Sequence, residues 1–312
     1  KPQYYATSMP FGNESFGLLV ESHEGRPTKI EGNKLHPASG GSSNVFMQAE
    51  MLNLYDPDRS QMVLNKGKNS TWSSYRAAWK KQTDQYTENG GEGLAILSES
   101  FTSPTMMRLS KAFKKKFPQA QWVTYDSVSD ENVFAGVGAA TGTPAQPRYN
   151  FKDANVVLSL DSDFLQMDSN DIPHARDFAS RRKVRSEKDS MNRLYVVEGT
   201  YTITGGMADH RLRVQSGQVG MFAAALAHEL SAQGLNIRAP RVNANFDKKW
   251  ISAVAKDLIH NKGNSLVLGG RRQPAEVHTL IALINDVLSN TNKTVSYTLN
   301  PDMQASSLKS FV

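Results

Sequence analysis

From about Gly93 onward the chain repeats one pattern, a short apolar run followed by a longer amphipathic segment. The runs Leu94–Leu97, Gln121–Tyr125, Asn155–Leu160, Leu194–Glu198, Ser265–Leu268 and Thr294–Leu299 read as strands. Between them, Pro104–Phe117, His174–Arg182, Val219–Leu230, Phe246–Ile259 and Pro274–Leu288 read as helices. Strands alternating with helices of this length predict βαβ units, hence a parallel sheet with helices on its faces. In the first of the helices, Ser103 suits the N-cap and Pro104 the first turn. The spacing of Met106, Leu109, Phe113 and Phe117 predicts a buried stripe, with Lys111, Lys114 and Lys115 outside.

The preceding segment is different. The first 65 residues are rich in Gly, Pro, Asn and Ser, with short alternating runs at Phe16–Val20 and Thr28–Glu31. Glu24-Gly25-Arg26-Pro27 and Glu31-Gly32-Asn33 read as turns, with Gly25 free to adopt positive φ. This predicts a small β-rich region reaching to about residue 90, beside an α/β body.

Composition narrows the chemistry. Among 312 residues there is no cysteine, which excludes disulfides, thiolate zinc, a cysteine nucleophile and a Cys-ligated iron–sulfur cluster held by this chain. The longest purely apolar run, Met221–Ala227, is far short of the roughly 20 residues that span a bilayer. Lys plus Arg number 36 against 30 acidic residues, a net +6 concentrated at Arg108–Lys116 and Arg181–Arg185. Each run reads as a solvated helix face or, more sharply, as a docking surface for an acidic partner or an anionic membrane. The chain begins at Lys1, not Met, and ends soon after a strand, so it reads as a processed piece of a longer parent.

No phosphate-loop, dinucleotide or nucleophile-elbow motif is present, and His228-Glu229 lacks a second histidine at position 232, which is Ala. What remains lies after strands, where open α/β sheets bind ligands. Asp161-Ser162-Asp163, Glu198-Gly199-Thr200 and Gly269-Gly270-Arg271-Arg272 each follow one. An acid there can hold a ribose, and a Gly-Gly turn before a helix can offer N–H groups to a phosphate. The plain alternative is that acids cap helices and glycines make turns. From these residues alone, an α/β enzyme on a nucleotide or phosphorylated substrate is one open reading.

The segment Val20–Asn33, then His36-Pro37, Gln48-Ala49 and Leu54–Arg59, resembles the opening domain of molybdopterin oxidoreductases carrying a bis-guanine-dinucleotide cofactor. Pro147–Tyr149, Asp153–Leu160, Leu194–Glu198 and Ala208–His210 resemble later segments of that family in the same order. The resemblance implies an α/β, Rossmann-like parallel sheet with helices on both faces over 91–262, after a β-rich region over 1–90 and before a further α/β unit over 263–312. One branch fits better still, the N-terminal cofactor-less domain of the iron–sulfur subunit of alternative complex III. Tyr4–Thr7, Glu21–Glu24, Leu160–Leu165, Met191–Tyr195, Gly206–His210 and Arg272–His278 resemble its signatures. That branch implies a scaffold domain in a respiratory quinol oxidoreductase, with haem-containing and membrane subunits as partners and iron–sulfur clusters beyond Val312. It also implies export by a twin-arginine signal to the periplasmic face of the membrane.

The residues of the vestigial pocket would be Ser127, Ser129, Asp161, Asp163, Glu198, Gly269, Gly270 and Arg271. Two carboxylates where a diphosphate would pass repel it unless paired, so Asp161 and Asp163 are expected to pair with Arg271 or Arg272. The alternative is a working molybdenum bis-guanine-dinucleotide enzyme, with Ser127 or Ser129 on the metal and Glu198 and Gly269–Arg271 on the nucleotides. Against it, both serines read as turn formers.

Overall fold

The computed structural model describes residues 1–11, 14–168, 171–243 and 245–299. The chain divides into two compact units, one running to Ser127 and one from Val128.

In the first unit, strands β1 (Gln3–Phe11), β2 (Glu14–His23) and β3 (Arg26–Gly32) form an antiparallel sheet in that order. His23 pairs with Arg26 across a two-residue turn in which Glu24 and Gly25 have φ of 50° and 81°. Two left-handed residues match the twist of the flanking strands, which is why this hairpin closes so tightly. Helix α1 (Val45–Tyr55), the small ladder of β4 (Leu64–Asn65) with β5 (Lys68–Asn69), and helix α2 (Trp72–Glu88) follow. The two helices add to the β-rich region expected here. Each starts on a side-chain cap, Asn44 for α1 and Thr71 for α2. Neither carries the wide apolar stripe by which helices are read, so only the caps marked them.

A parallel pair closes this unit: β6 (Ala95–Ser98), α3 (Pro104–Lys116) and β7 (Gln121–Thr124). Ser103 caps α3 as expected, and Lys111, Lys114 and Lys115 are exposed. The expected buried stripe needs correction. Phe117 is buried and Phe113 half-buried, but Met106 and Leu109 are exposed. The inward line runs through Met107 and Ser110 instead, turned by one residue. Phe113 sets it by meeting Phe117 and Trp122, with ring centroids 5.1 and 5.4 Å away. Ser110 can be buried because its hydroxyl donates to the Met107 carbonyl at 3.0 Å.

The second unit comprises α4 (Glu131–Thr141), β8 (Gln146–Tyr149), β9 (Val156–Leu160), α5 (Asp171–Ser180), β10 (Arg193–Glu198), α6 (Ile203–Gly206), β11 (His210–Arg213), a 3-10 turn (Ser216–Gln218), α7 (Val219–Ala232), α8 (Lys248–His260), β12 (Ser265–Gly269), α9 (Ala275–Val287) and β13 (Val295–Thr298). Strands β11, β10, β9 and β12 form a wholly parallel sheet in that order; of the six strands read from the periodicity three lie in it, two make the separate parallel pair β6–β7, and Thr294–Leu299 corresponds to the antiparallel β13. β8 and β13 pair antiparallel apart from it. Alternate residues of the sheet feed two apolar layers. Val156, Leu158, Leu160, Val197 and Val267 join Phe222, Leu226, Val254 and Leu258 of α7 and α8. On the other face Val157, Leu194, Val196, Leu266 and Leu268 join Phe151, Phe164 and Phe178. Strands buried on both faces read as nearly continuous apolar runs, which is why they were legible. β8 and β11 were not expected; Gln146–Tyr149 contains Pro147, and His210–Arg213 is polar. The further unit expected over 263–312 extends past Leu299, outside the described residues.

Candidate functional site

The carboxyl ends of β9, β10 and β12 lie together, because the three strands are neighbours in one parallel register. The loops leaving them therefore meet, and most of the pocket residues expected from the sequence gather there.

Asp161 leaves β9 in a left-handed conformation, φ 56°. Its Oδ1 accepts from the Gly199 N–H at 3.3 Å, and its Oδ2 from Ser216 Oγ and Gln273 Nε2, both at 2.8 Å. Its carbonyl fixes the opposite loop as well. A Cβ on Gly270 would stand 1.9 Å from the Asp161 oxygen, so only glycine fits. The Gly270 N–H meanwhile donates to Leu160 O at 3.0 Å. Gly269 is crowded by Ile281 and His278, which leave a Cβ 2.5 and 3.5 Å.

Asp163 is buried and turned the other way. It accepts from the Thr204 N–H at 3.0 Å and Thr204 Oγ1 at 2.7 Å, at the start of α6. Glu198, only 1% exposed, accepts from Arg211 Nε at 2.6 Å and from Thr202 Oγ1 at 2.6 Å. Arg211 in turn lies over the Tyr201 ring, 4.6 Å from its centroid. Thus both acids hold their own loops. The expected pairing of Asp161 and Asp163 with Arg271 or Arg272 is corrected: Arg271 Nε lies 3.7 Å from Asp130 and 3.8 Å from Asp168. The physical reason is that backbone and hydroxyl donors, already close by, take the two carboxylates first.

Arg271 belongs to a small cavity of about 50 Å³, lined also by Asp130, Tyr149, Ser162, Asp168 and His174. Ser162 Oγ donates to Asp168. Burial raises the Asp168 carboxyl above its ordinary value, opposed by the Ser162 hydrogen bond and the Arg271 charge. Burial also pushes the Tyr149 phenol up, and lowers His174 to about 3, helped by the Arg148 charge. His174 Nδ1 is buried without a hydrogen-bond partner. A neutral imidazole there sits between Tyr149 and Phe151, with ring centroids 5.9 and 5.0 Å away. The cavity has room for a few waters, well below the few hundred Å³ of a cofactor site.

The two serines do not join this group. Ser129 Oγ accepts from the Glu131 N–H at 3.3 Å, a turn before α4, and Ser127 is exposed at the end of the first unit. Sequence reasoning missed Gln273, Ser216, Asp130, Asp168, Tyr149 and His174. Gln273 carried a weak signal, since it lies in the same loop as Gly269-Gly270, three residues on and just before Pro274. The others come from separate loops and carried none. Of the Arg181–Arg185 run, two arginines are tied inward. Arg182 meets Asp209 at 2.5 Å and the Phe178 ring at 4.8 Å, and Arg181 meets Asn155 at 2.6 Å.

The chain is 24% identical over 278 residues to the "Menaquinone reductase, molybdopterin-binding-like subunit" of Nitratidesulfovibrio vulgaris (strain Hildenborough), a match covering 81% of this chain and 39% of the relative. That match supports the molybdopterin oxidoreductase family. The chain thus spans about two-fifths of the length of that curated relative. No protein-family profile matches it. Among solved structures, acetylene hydratase from Pelobacter acetylenicus superposes with a TM-score of 0.57 at 11% identity, covering 90% of this chain and 43% of that one. This likeness shows a shared fold.

The molybdopterin oxidoreductases that the sequence resembles would bring a pterin bearing a dinucleotide. A diphosphate needs N–H donors and close-approach glycines at the strand ends. Here the Gly199 donor is taken by Asp161, and the room beside Gly270 is filled by the chain's own backbone. The residues present do not fit the group. Among the described residues, no cluster of three or more His, Asp or Glu is placed to hold a metal ion, and no helix is long and apolar enough to cross a membrane.

Proposed function

We propose that this chain is a molybdopterin-oxidoreductase-like domain that carries no cofactor and serves as a scaffold in a respiratory quinol oxidoreductase complex. The observation behind this reading is Asp161. Its carboxylate takes three donors at the strand ends where a dinucleotide would need them. The relative's printed name, a molybdopterin-binding-like subunit of a menaquinone reductase, supports membership of a multi-subunit oxidoreductase. The signatures resembling the iron–sulfur subunit of alternative complex III support the finer assignment. On that reading electrons pass through iron–sulfur clusters outside this chain, the partners are haem-containing and membrane subunits, and the complex stands on the periplasmic face of the membrane. Asp161, Asp163, Glu198, Gly269 and Gly270 are then remnants of a pocket whose loops they now hold together, while Ser127, Ser129 and Arg271 stand apart from it.

Elemental analysis and pterin fluorescence on the purified protein test this. The expected outcome is molybdenum far below one atom per chain and no pterin released on denaturation. Near-stoichiometric molybdenum would overturn the reading in favour of a catalytic molybdenum bis-guanine-dinucleotide domain.

A further inference from the structure

The strand order β11-β10-β9-β12 changes direction at β9. The chain builds outward from β9 through β10 to β11, then returns to lay β12 on the free edge of β9. In an open parallel sheet such a reversal parts the loops and leaves a ligand crevice at the carboxyl ends. Asp161 stands at that place, directly after β9.

What surrounds its carboxylate comes from three separate segments. The Gly199 N–H follows β10, Ser216 Oγ opens the 3-10 turn, and Gln273 Nε2 belongs to the loop between β12 and α9. Three donors converge on one two-oxygen anion, and an oxyanion ligand would require the same set. Beside them lies an open crevice of about 510 Å³, lined by Gly199, Arg213, Gln215, Gln218, Asn245 and Asp247 among others. That is room on the scale of a nucleoside, with one cation from Arg213. The two acids close by are already engaged: Asp247 caps α8 through the Lys249 N–H at 2.8 Å, and Glu198 holds Arg211.

We infer that Asp161 is a built-in anion that keeps a diphosphate site closed, so that removing its carboxylate opens the site to pyrophosphate or a nucleoside diphosphate. The inference rests on the cofactor-less reading above. Asp161→Gly suits the test, because glycine takes φ 56° without strain. Asp161→Asn is the second variant; asparagine tolerates the same backbone and its Oδ1 still accepts, but it carries no charge to repel a diphosphate and its Nδ2 cannot accept from Ser216 or Gln273.

Inorganic pyrophosphate and adenosine diphosphate are titrated calorimetrically into wild type and both variants, with circular dichroism confirming the fold. Wild type should show no saturable binding. Asp161→Gly should bind at least about tenfold more tightly than wild type, and Asp161→Asn, which loses the charge but keeps the bulk, should fall between the two. Adding Ser216→Ala and Gln273→Ala to Asp161→Gly should abolish the gain. Preference for adenosine diphosphate over pyrophosphate would extend the site into the crevice, and equal binding would confine it to the three donors; both support the inference. Wild type binding as tightly as the variants, or folded variants that stay blind to diphosphate, would overturn it. The second result leaves the scaffold reading standing, whereas molybdenum or pterin in wild type removes that reading by itself.

Discussion

The two units of this chain are held together by different means. In the second, every residue of β9 is buried, and apolar side chains close over both faces of the sheet. In the first, Leu35 is 93% exposed, Leu52 73% and Trp72 66%, and no residue of α2 is buried. Apolar side chains left in water give no burial energy, so beyond a small buried set of Phe16, Leu18, Ile30, Met47 and Phe117 this unit leans on hairpin geometry and helix caps. The second unit instead draws on close packing, where one added or missing methylene is felt. Sensitivity to substitution should therefore differ sharply between them.

The widest gap is expected between two glycines. Gly270→Ala drives a Cβ against the Asp161 backbone and should cost about 4 kcal/mol or more, read by chemical denaturation. Gly25→Ala in the first unit, where nothing lies within 4 Å, should cost only about 1 kcal/mol for its left-handed φ. Equal losses would break the comparison. Phe164→Ala removes a ring 1% exposed that stacks on Phe151 at 4.4 Å, and should cost about 3 to 4 kcal/mol. Glu198→Gln leaves the Arg211 guanidinium, itself partly solvated, without its charge partner, for an expected loss of about 2 kcal/mol.

Acidification sharpens the same contrast. Burial holds His174 at about 3 and His278 at about 4 in the folded chain, against 6.5 unfolded. The unfolded chain thus binds more protons below pH 6.5, and stability must fall as pH drops from there toward 4. Asp168 acts in the opposite sense, since burial makes its carboxyl take up a proton more readily in the folded state than in the unfolded one. His174→Phe should flatten the fall by up to about 1.4 kcal/mol per pH unit, in denaturation series between pH 6.5 and 4. An unchanged slope would show that His174 is not held neutral. The smallest effect is expected on the exposed stripe of α2. Trp72→Ala should shift stability by less than about 0.5 kcal/mol, and a larger loss would mean that something covers this face.

Much of the second unit could be read directly. Asn155–Leu160, Leu194–Glu198 and Ser265–Leu268 are mostly apolar, broken inside only by Ser159, and a strand buried on both faces reads in that way. The site was legible in position but not in role. Asp161, Glu198 and Gly270 were found because they follow those runs. Their partners were not, since Gln273 lies 112 residues from Asp161 and Ser216 lies 55, and no local pattern ties such positions together. The stripe of α3 was misread by one residue because periodicity fixes a helix but not which side its neighbours occupy.

By itself, then, the sequence determined the alternation of strands and helices, the parallel sheet, the lack of thiolate chemistry and the loops at which a ligand site would lie. Those are local or compositional properties, written in the spacing of apolar residues and in the absence of cysteine. Only the tertiary structure decided what the acids in those loops do. A carboxylate takes whichever donors the fold brings nearest, and here these are a backbone N–H, a hydroxyl and an amide from three distant segments, not the arginines that stand beside it in the charge count.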